Sequence, residues 1–183
     1  MYKVAGVFLL FTYVHLAIGV VLALLMYLLG LTDDVWLLAL FVLGNVVIDF
    51  DQLMAIFVWR GSPYDVLRSS LLRGDLRGFV YSLRKYHKEI DRLLLHNYLS
   101  FCVVVVLYFL FTFVFSGALL EGARWFLAGM ATHMALDQTD DIYVVRHLRN
   151  WFWFVAGRSG RSFRYVLVPT FFVIALIYYS LIF

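Results

Sequence analysis

An all-α, polytopic membrane fold is what this sequence predicts, on three observations. The chain is 64% hydrophobic and only 15% charged, with a mean hydropathy of +0.88 over 183 residues. Soluble domains carry about 45–50% apolar and about 25% charged residues, so lipid must be the solvent for much of this surface. The apolar residues gather into five stretches that suit a bilayer, which a helix of about 20 residues crosses. The remaining charges fall between the stretches, with bases on the long links and mainly acids on the short ones. The expectation is one integral domain, residues 1–183, with about five transmembrane helices in a bundle and interfacial helices on the cytoplasmic side.

Val4–Leu29 reads as the first span, because it is too long for a signal-peptide core and no convincing cleavage site follows it. Gly30 and the pair Asp33–Asp34 then make a short turn into the second span, Val35–Trp59. A long basic link follows, with Arg60, Arg68, Arg73, Arg77, Arg84, Lys85, Lys88 and Arg92. Within it Phe79, Leu83, Tyr86, Ile90, Leu93 and Leu94 recur at helical spacing, which predicts an amphipathic helix in the headgroup plane.

Leu93–Ser116 is the third span, and Gly117, Glu121 and Gly122 turn the chain into the fourth at 123–140. That fourth stretch is short in apolar length and runs into its own polar end. A second basic link holds Arg146, Arg149, Arg158, Arg161 and Arg164, with Trp151 and Trp153 suited to the interface. Tyr165–Phe183 is the last span. Pro63 and Pro169 lie near element ends, where a missing amide donor does little harm.

Basic loops stay in the cytoplasm, so both long links and the N-terminus are expected inside the cell membrane and Phe183 outside. The bases fit anionic lipid headgroups. The net charge of only +3 argues against a nucleic-acid surface. The expected partners are therefore membrane lipids, with a homo-oligomer or a membrane complex also compatible. Cys102 is the only cysteine, which excludes an intrachain disulfide and a cysteine-based zinc site.

Ionisable groups at hydrocarbon depth cost several kcal/mol and need partners. His133 and Asp137 are four residues apart, so they project from one helix face, and Gly129 one turn earlier admits a second helix. Such a pair is a metal-binding donor set or, more plainly, a hydrogen bond satisfying two buried groups. Asn45 and Asp49 also share a face. Asp51 lies about 200° round an ideal helix from Asp49, so both reach one site only if the helix ends or unwinds near Phe50. His96 opens the third span behind Arg92, and His15 lies in the middle of the first. For His87, Asp91 and His147 a solvated face is explanation enough.

Depth joins these groups. In the expected topology His15, Asp49, Asp51, His96, His133 and Asp137 all fall in the cytoplasmic half of the bilayer, on four spans. Independent structural hydrogen bonds have no reason to collect at one level. Imidazoles with hard carboxylates suit a divalent metal, Zn, Mn or Fe. On this reading His15, Asp49, His133 and Asp137 are ligands, and Asp51 and His96 are ligands or catalytic bases.

The order His15-x3-Gly19, Asp49-x-Asp51, a basic loop leading to His96, then His133-x3-Asp137 resembles the YdjM-type family of predicted membrane-bound metal-dependent hydrolases. The resemblance spans roughly Tyr13 to Asp137 and leaves the last span uncovered. It implies a membrane-embedded hydrolase. Gln52 stands where that family's motif has His, and Leu94-Leu95-His96-Asn97 replaces its HRG-x-THS segment.

The depth of the site favours a lipid ester or phosphoester as substrate, with Arg60 and Arg92 placed to bind phosphate. Two other classes compete. One is a non-catalytic scaffold or complex subunit whose polar cluster serves packing; the other is haem ligation by His15 and His133. A transporter lacks the expected inverted repeat.

Overall fold

The computed structural model describes residues 7–86, 93–115, 117–140 and 167–182, and all regular structure among them is helical. The helices are α1 (Val7–Leu28), α2 (Val35–Val47), α3 (Phe50–Val58), α4 (Tyr64–Leu72), α5 (Leu76–Tyr86), α6 (Tyr98–Phe113), α7 (Ala118–Asp140) and α8 (Leu167–Ile182). The expected Lys3, His87, Asp91, Arg92, His147, Trp151 and Trp153 features lie outside the described residues.

The first turn shows why α1 and α2 are antiparallel. Gly30 takes φ +68°, and its N–H bonds Tyr27 O while Leu31 N–H bonds Met26 O, so two last-turn carbonyls of α1 are satisfied. Asp34 then caps α2 by accepting the Trp36 N–H at 2.8 Å.

The second apolar stretch is broken between α2 and α3, at Ile48 and Asp49. There Asp49, Asp51 and Gln52 each donate three residues back, to Val46, Ile48 and Asp49 carbonyls. At three residues per turn Asp49 and Asp51 stand about 120° apart, against about 160° the short way round an α-helix. The tightening brings both carboxylates to the interior, at one end of the bundle.

Helices α2 and α7 pack backbone to backbone. A Cβ on Gly129 would lie 2.0 Å from Phe41 O, and one on Gly44 would lie 2.0 Å from Phe126 O. The meeting points advance together, from Leu40 with Gly122 to Asp49 with His133, so these two helices are parallel. Around them Phe41, Ile48, Phe101, Tyr108, Trp125 and Met134 form the main core.

Helix α8 is antiparallel to α7. Thr170 Oγ1 donates to Gln138 Oε1 at 2.8 Å near one end, and Arg124 Nη2 donates to Ser180 O at 2.9 Å near the other. Tyr108 O–H bonds Ile177 O at 3.0 Å, which sets the late part of α6 at that same end.

The long basic link holds two helices, α4 and α5, where the sequence pattern indicated one. A second, smaller core of Ala55, Ile56, Tyr64, Leu67, Leu83 and Leu93 joins α3, α4 and α5 to the segment before α6. Leu93 and Leu94, which fitted the amphipathic pattern, precede α6 in non-helical chain. Arg68 is not a headgroup-facing base. Its guanidinium donates to Ile56 O and Trp59 O at 2.6–2.9 Å and so closes the C-terminal end of α3.

Among the described residues one helical run, Val35–Val58, is long and apolar enough to cross a membrane, with α2 and α3 taken together. Val14–Leu28, Tyr98–Phe113 and Pro169–Leu181 are shorter apolar helices.

Candidate metal centre

Each group reaches the centre from a different element. His15 comes from α1, Asp49 from the α2–α3 break, and His96 from the chain just before α6. His133 and Asp137 come from successive turns of α7. Gly129 and Gly19 make the approach possible. Gly129 lets α2 sit on α7, and the Cβ that Gly19 lacks would press on Asn45 Cγ at 3.2 Å.

Asp137 is the hub. Its Oδ1 lies 3.2 Å from His15 Nε2, and its Oδ2 lies 2.9 Å from His96 Nε2 and 3.1 Å from His133 Nε2. Asp49 Oδ1 faces the same nitrogens, at 3.6 Å from His133 Nε2 and 3.8 Å from His96 Nε2. His15, Asp49 and His133 offer ligand atoms within 4.8 Å of one another, and so do His96, His133 and Asp137. Buried His and Asp groups that could hold a metal ion are therefore present.

Two tests decide how well a metal fits. Ligand bonds of about 2.0–2.2 Å put neighbouring donors about 2.9–3.6 Å apart around a tetrahedral or octahedral ion. The observed separations of 2.9–3.8 Å are close to such polyhedron edges. The second test is hydrogen bonding. His96 Nε2 and His133 Nε2 are buried and lie 2.9 and 3.1 Å from Asp137 Oδ2 without good hydrogen-bond alignment, and Asp49 Oδ2 is buried with no hydrogen-bond partner. Buried polar atoms are nearly always paired. Nitrogens and carboxylate oxygens that converge in this way form His–Asp ion pairs and could also hold a metal ion.

Asp51 stands apart from this convergence. It is 1% exposed, and its Oδ2 accepts the N–H of Leu95 at 2.7 Å and that of His96 at 3.1 Å. Its Oδ1 lies 2.8 Å from His96 Nδ1, on the far side of that ring from Asp137.

Asn45, one turn before Asp49, is fully buried, and neither of its amide atoms has a hydrogen-bond partner. Gln52 Oε1 is also buried and unpaired. Arg60 is exposed in the α3–α4 link.

The arrangement of His15 and His133 does not suit axial ligation of a haem between them. Their rings meet edge to face with centroids 4.3 Å apart, which leaves no gap for a macrocycle between them.

Of the six groups that the sequence singles out, the structure brings His15, Asp49, His96, His133 and Asp137 together and places Asp51 behind the His96 ring instead, on its Nδ1 edge. The sequence did not disclose that Gly44 is as tight a contact as Gly129, or that Asp51 bonds the Leu95 and His96 amides. Comparison with family models, with curated proteins and with solved structures finds no match to this chain.

Proposed function

We propose that this is a five-span integral membrane protein that binds one divalent metal, Zn, Mn or Fe, and hydrolyses a lipid ester or phosphoester at the cytoplasmic leaflet. The observation that carries the reading is the convergence of three buried imidazoles on the carboxylates of Asp49 and Asp137 inside an apolar bundle. Helix direction supports the topology. Helix α1 opposes α2, α2 is parallel to α7, and α6 and α8 oppose α7, as alternating spans require. Outward residues such as Val21, Leu24, Leu43, Val103 and Phe172 are exposed and apolar, which suits lipid contact. The resemblance of the motif order to that of the YdjM-type hydrolases is consistent with this reading.

Within this reading each side chain has a role. His15, His96 and His133 bind as neutral donors, and Asp49 and Asp137 balance the charge of the cation. A bound ion of this type lowers the pKa of its water to about 7. Asp49 Oδ2, which accepts no hydrogen bond, is the oxygen available to hold the water's proton. Asp51 is not available, because its oxygens already face three nitrogens.

A lipid substrate is supported by a groove between α1 and α2, of about 680 Å³ and lined by Leu16, Val20, Val42, Leu43 and Val46 among others. Leu16 adjoins His15 in sequence and Val46 lies three residues before Asp49, so the groove and the centre draw on the same two helices.

The second reading is a scaffold or complex subunit, favoured by Gln52 in place of the motif histidine. Purified protein, stripped of metal and then reloaded, should hydrolyse lipid esters or phosphoesters in mixed micelles only when loaded. Stoichiometric metal with no turnover of either lipid class would favour the scaffold.

A further inference from the structure

We infer that Asp51 is a positioning residue that fixes His96 with its proton on Nδ1, leaving the Nε2 lone pair for the metal. The inference takes its purpose from the metal-centre reading but its geometry stands alone. Asp51 Oδ2 is held by two backbone donors, the amides of Leu95 and His96. With that oxygen fixed, Oδ1 meets His96 Nδ1 at 2.8 Å, and a carboxylate can only accept. Nδ1 must therefore carry the proton. Nε2, on the opposite edge of the ring, faces Asp137 Oδ2 at 2.9 Å and Asp49 Oδ1 at 3.8 Å, where a metal ion would sit. This is the outer-shell pairing by which carboxylates orient metal-bound histidines.

Three features make the device specific. Asp51 is buried at 1% exposure, so water does not compete for its oxygens. The same carboxylate that orients the ring also holds the backbone carrying it, 44–45 residues away in sequence. Asn97 completes that segment, its Oδ1 accepting the Ser100 N–H at 2.9 Å to cap α6. The ring and the start of α6 are thus set by one residue from α3.

Asp51→Asn separates the positioning role from ligation and from folding. In the variant only the amide oxygen can face the Leu95 and His96 N–H groups, so the NH2 must face His96 Nδ1. Nδ1 then becomes an acceptor and the proton moves to Nε2, where it points at the metal position. All of these hydrogen bonds remain satisfiable, so the fold is expected to survive while the ligand is lost.

The experiment is nitrogen-15 NMR of histidine-labelled, metal-free protein at a pH where the imidazoles are neutral, with zinc titrations of D51N, H96Q and the double variant. Wild-type His96 should show a protonated Nδ1 and a bare Nε2, and D51N should show the reverse. Zinc affinity should fall about 10–100-fold in D51N, the range typical of outer-shell partners. The double variant should bind no more weakly than H96Q, because Asp51 acts only through His96. Additive losses would identify Asp51 as a ligand and overturn the inference. So would a wild-type His96 protonated on Nε2, a result that needs no variant to fold. Correct tautomers with no zinc binding in any form would retain the positioning role and discard the metal reading instead.

Discussion

His133 and Asp137 are where the chemistry and the sequence meet most directly. Helical spacing alone put them on one face, and the structure places Nε2 and Oδ2 3.1 Å apart with His133 fully buried. Asp137→Asn keeps the shape and one acceptor but removes a negative charge facing all three imidazoles. Bound metal in purified D137N should drop at least about tenfold, the scale on which even outer-shell changes act. Circular dichroism and the detergent elution profile should be unchanged. Unchanged metal together with lost folding would mark the pair as structural. Other parts of the site could not be read from spacing. The Leu95 and His96 amides that Asp51 serves lie 44–45 residues from it, and no periodicity encodes a contact of that range. The separation of Asp49 and Asp51 on a regular helix does require a break near Phe50 if both are to face inward, and the structure places that break at Ile48–Asp49.

At the scale of elements, the α2–α7 contact holds the centre together. Gly129→Ala would drive a Cβ to 2.0 Å from Phe41 O, a backbone atom that cannot move without shifting α2. Overpacking of this kind costs about 1–3 kcal/mol or more. G129A should therefore unfold at lower SDS fraction and also bind metal more weakly, since Asp49 moves with α2. Gly122→Ala is the control. There the obstructing atom is Leu40 Cδ1 at 2.9 Å, the end of a flexible side chain, and stability should stay within about 1 kcal/mol. Equal effects at the two glycines would deny that backbone contact sets the spacing. The long apolar elements were legible because hydropathy is a local property. Helix α4 is hard to see in the sequence because it is only nine residues long and its buried face rests on Tyr64 and Leu67, too few positions to establish a period. Arg68 was misassigned for a related reason: a base in a loop and a base closing a helix end look identical in sequence.

For the whole molecule, helix direction and loop charge make linked claims. The α1–α2 turn and the α4–α5 region should lie on opposite sides of the membrane. Cysteines at the exposed positions Asp33 and Arg73, in a background lacking Cys102, should label differently with an impermeant maleimide. Asp33 should react in intact cells and Arg73 only after permeabilisation. Reaction of both from one side would break the five-span arrangement. The centre itself unites α1, the α2–α3 break, the approach to α6 and α7, so its occupancy depends on the whole bundle. The most direct measurement is elemental analysis of protein purified in mild detergent without added metal or chelator. About one Zn, Mn or Fe per chain is expected, falling sharply in H133Q. A folded wild-type protein that carries none of them, and takes up none when they are added, would contradict the metal centre.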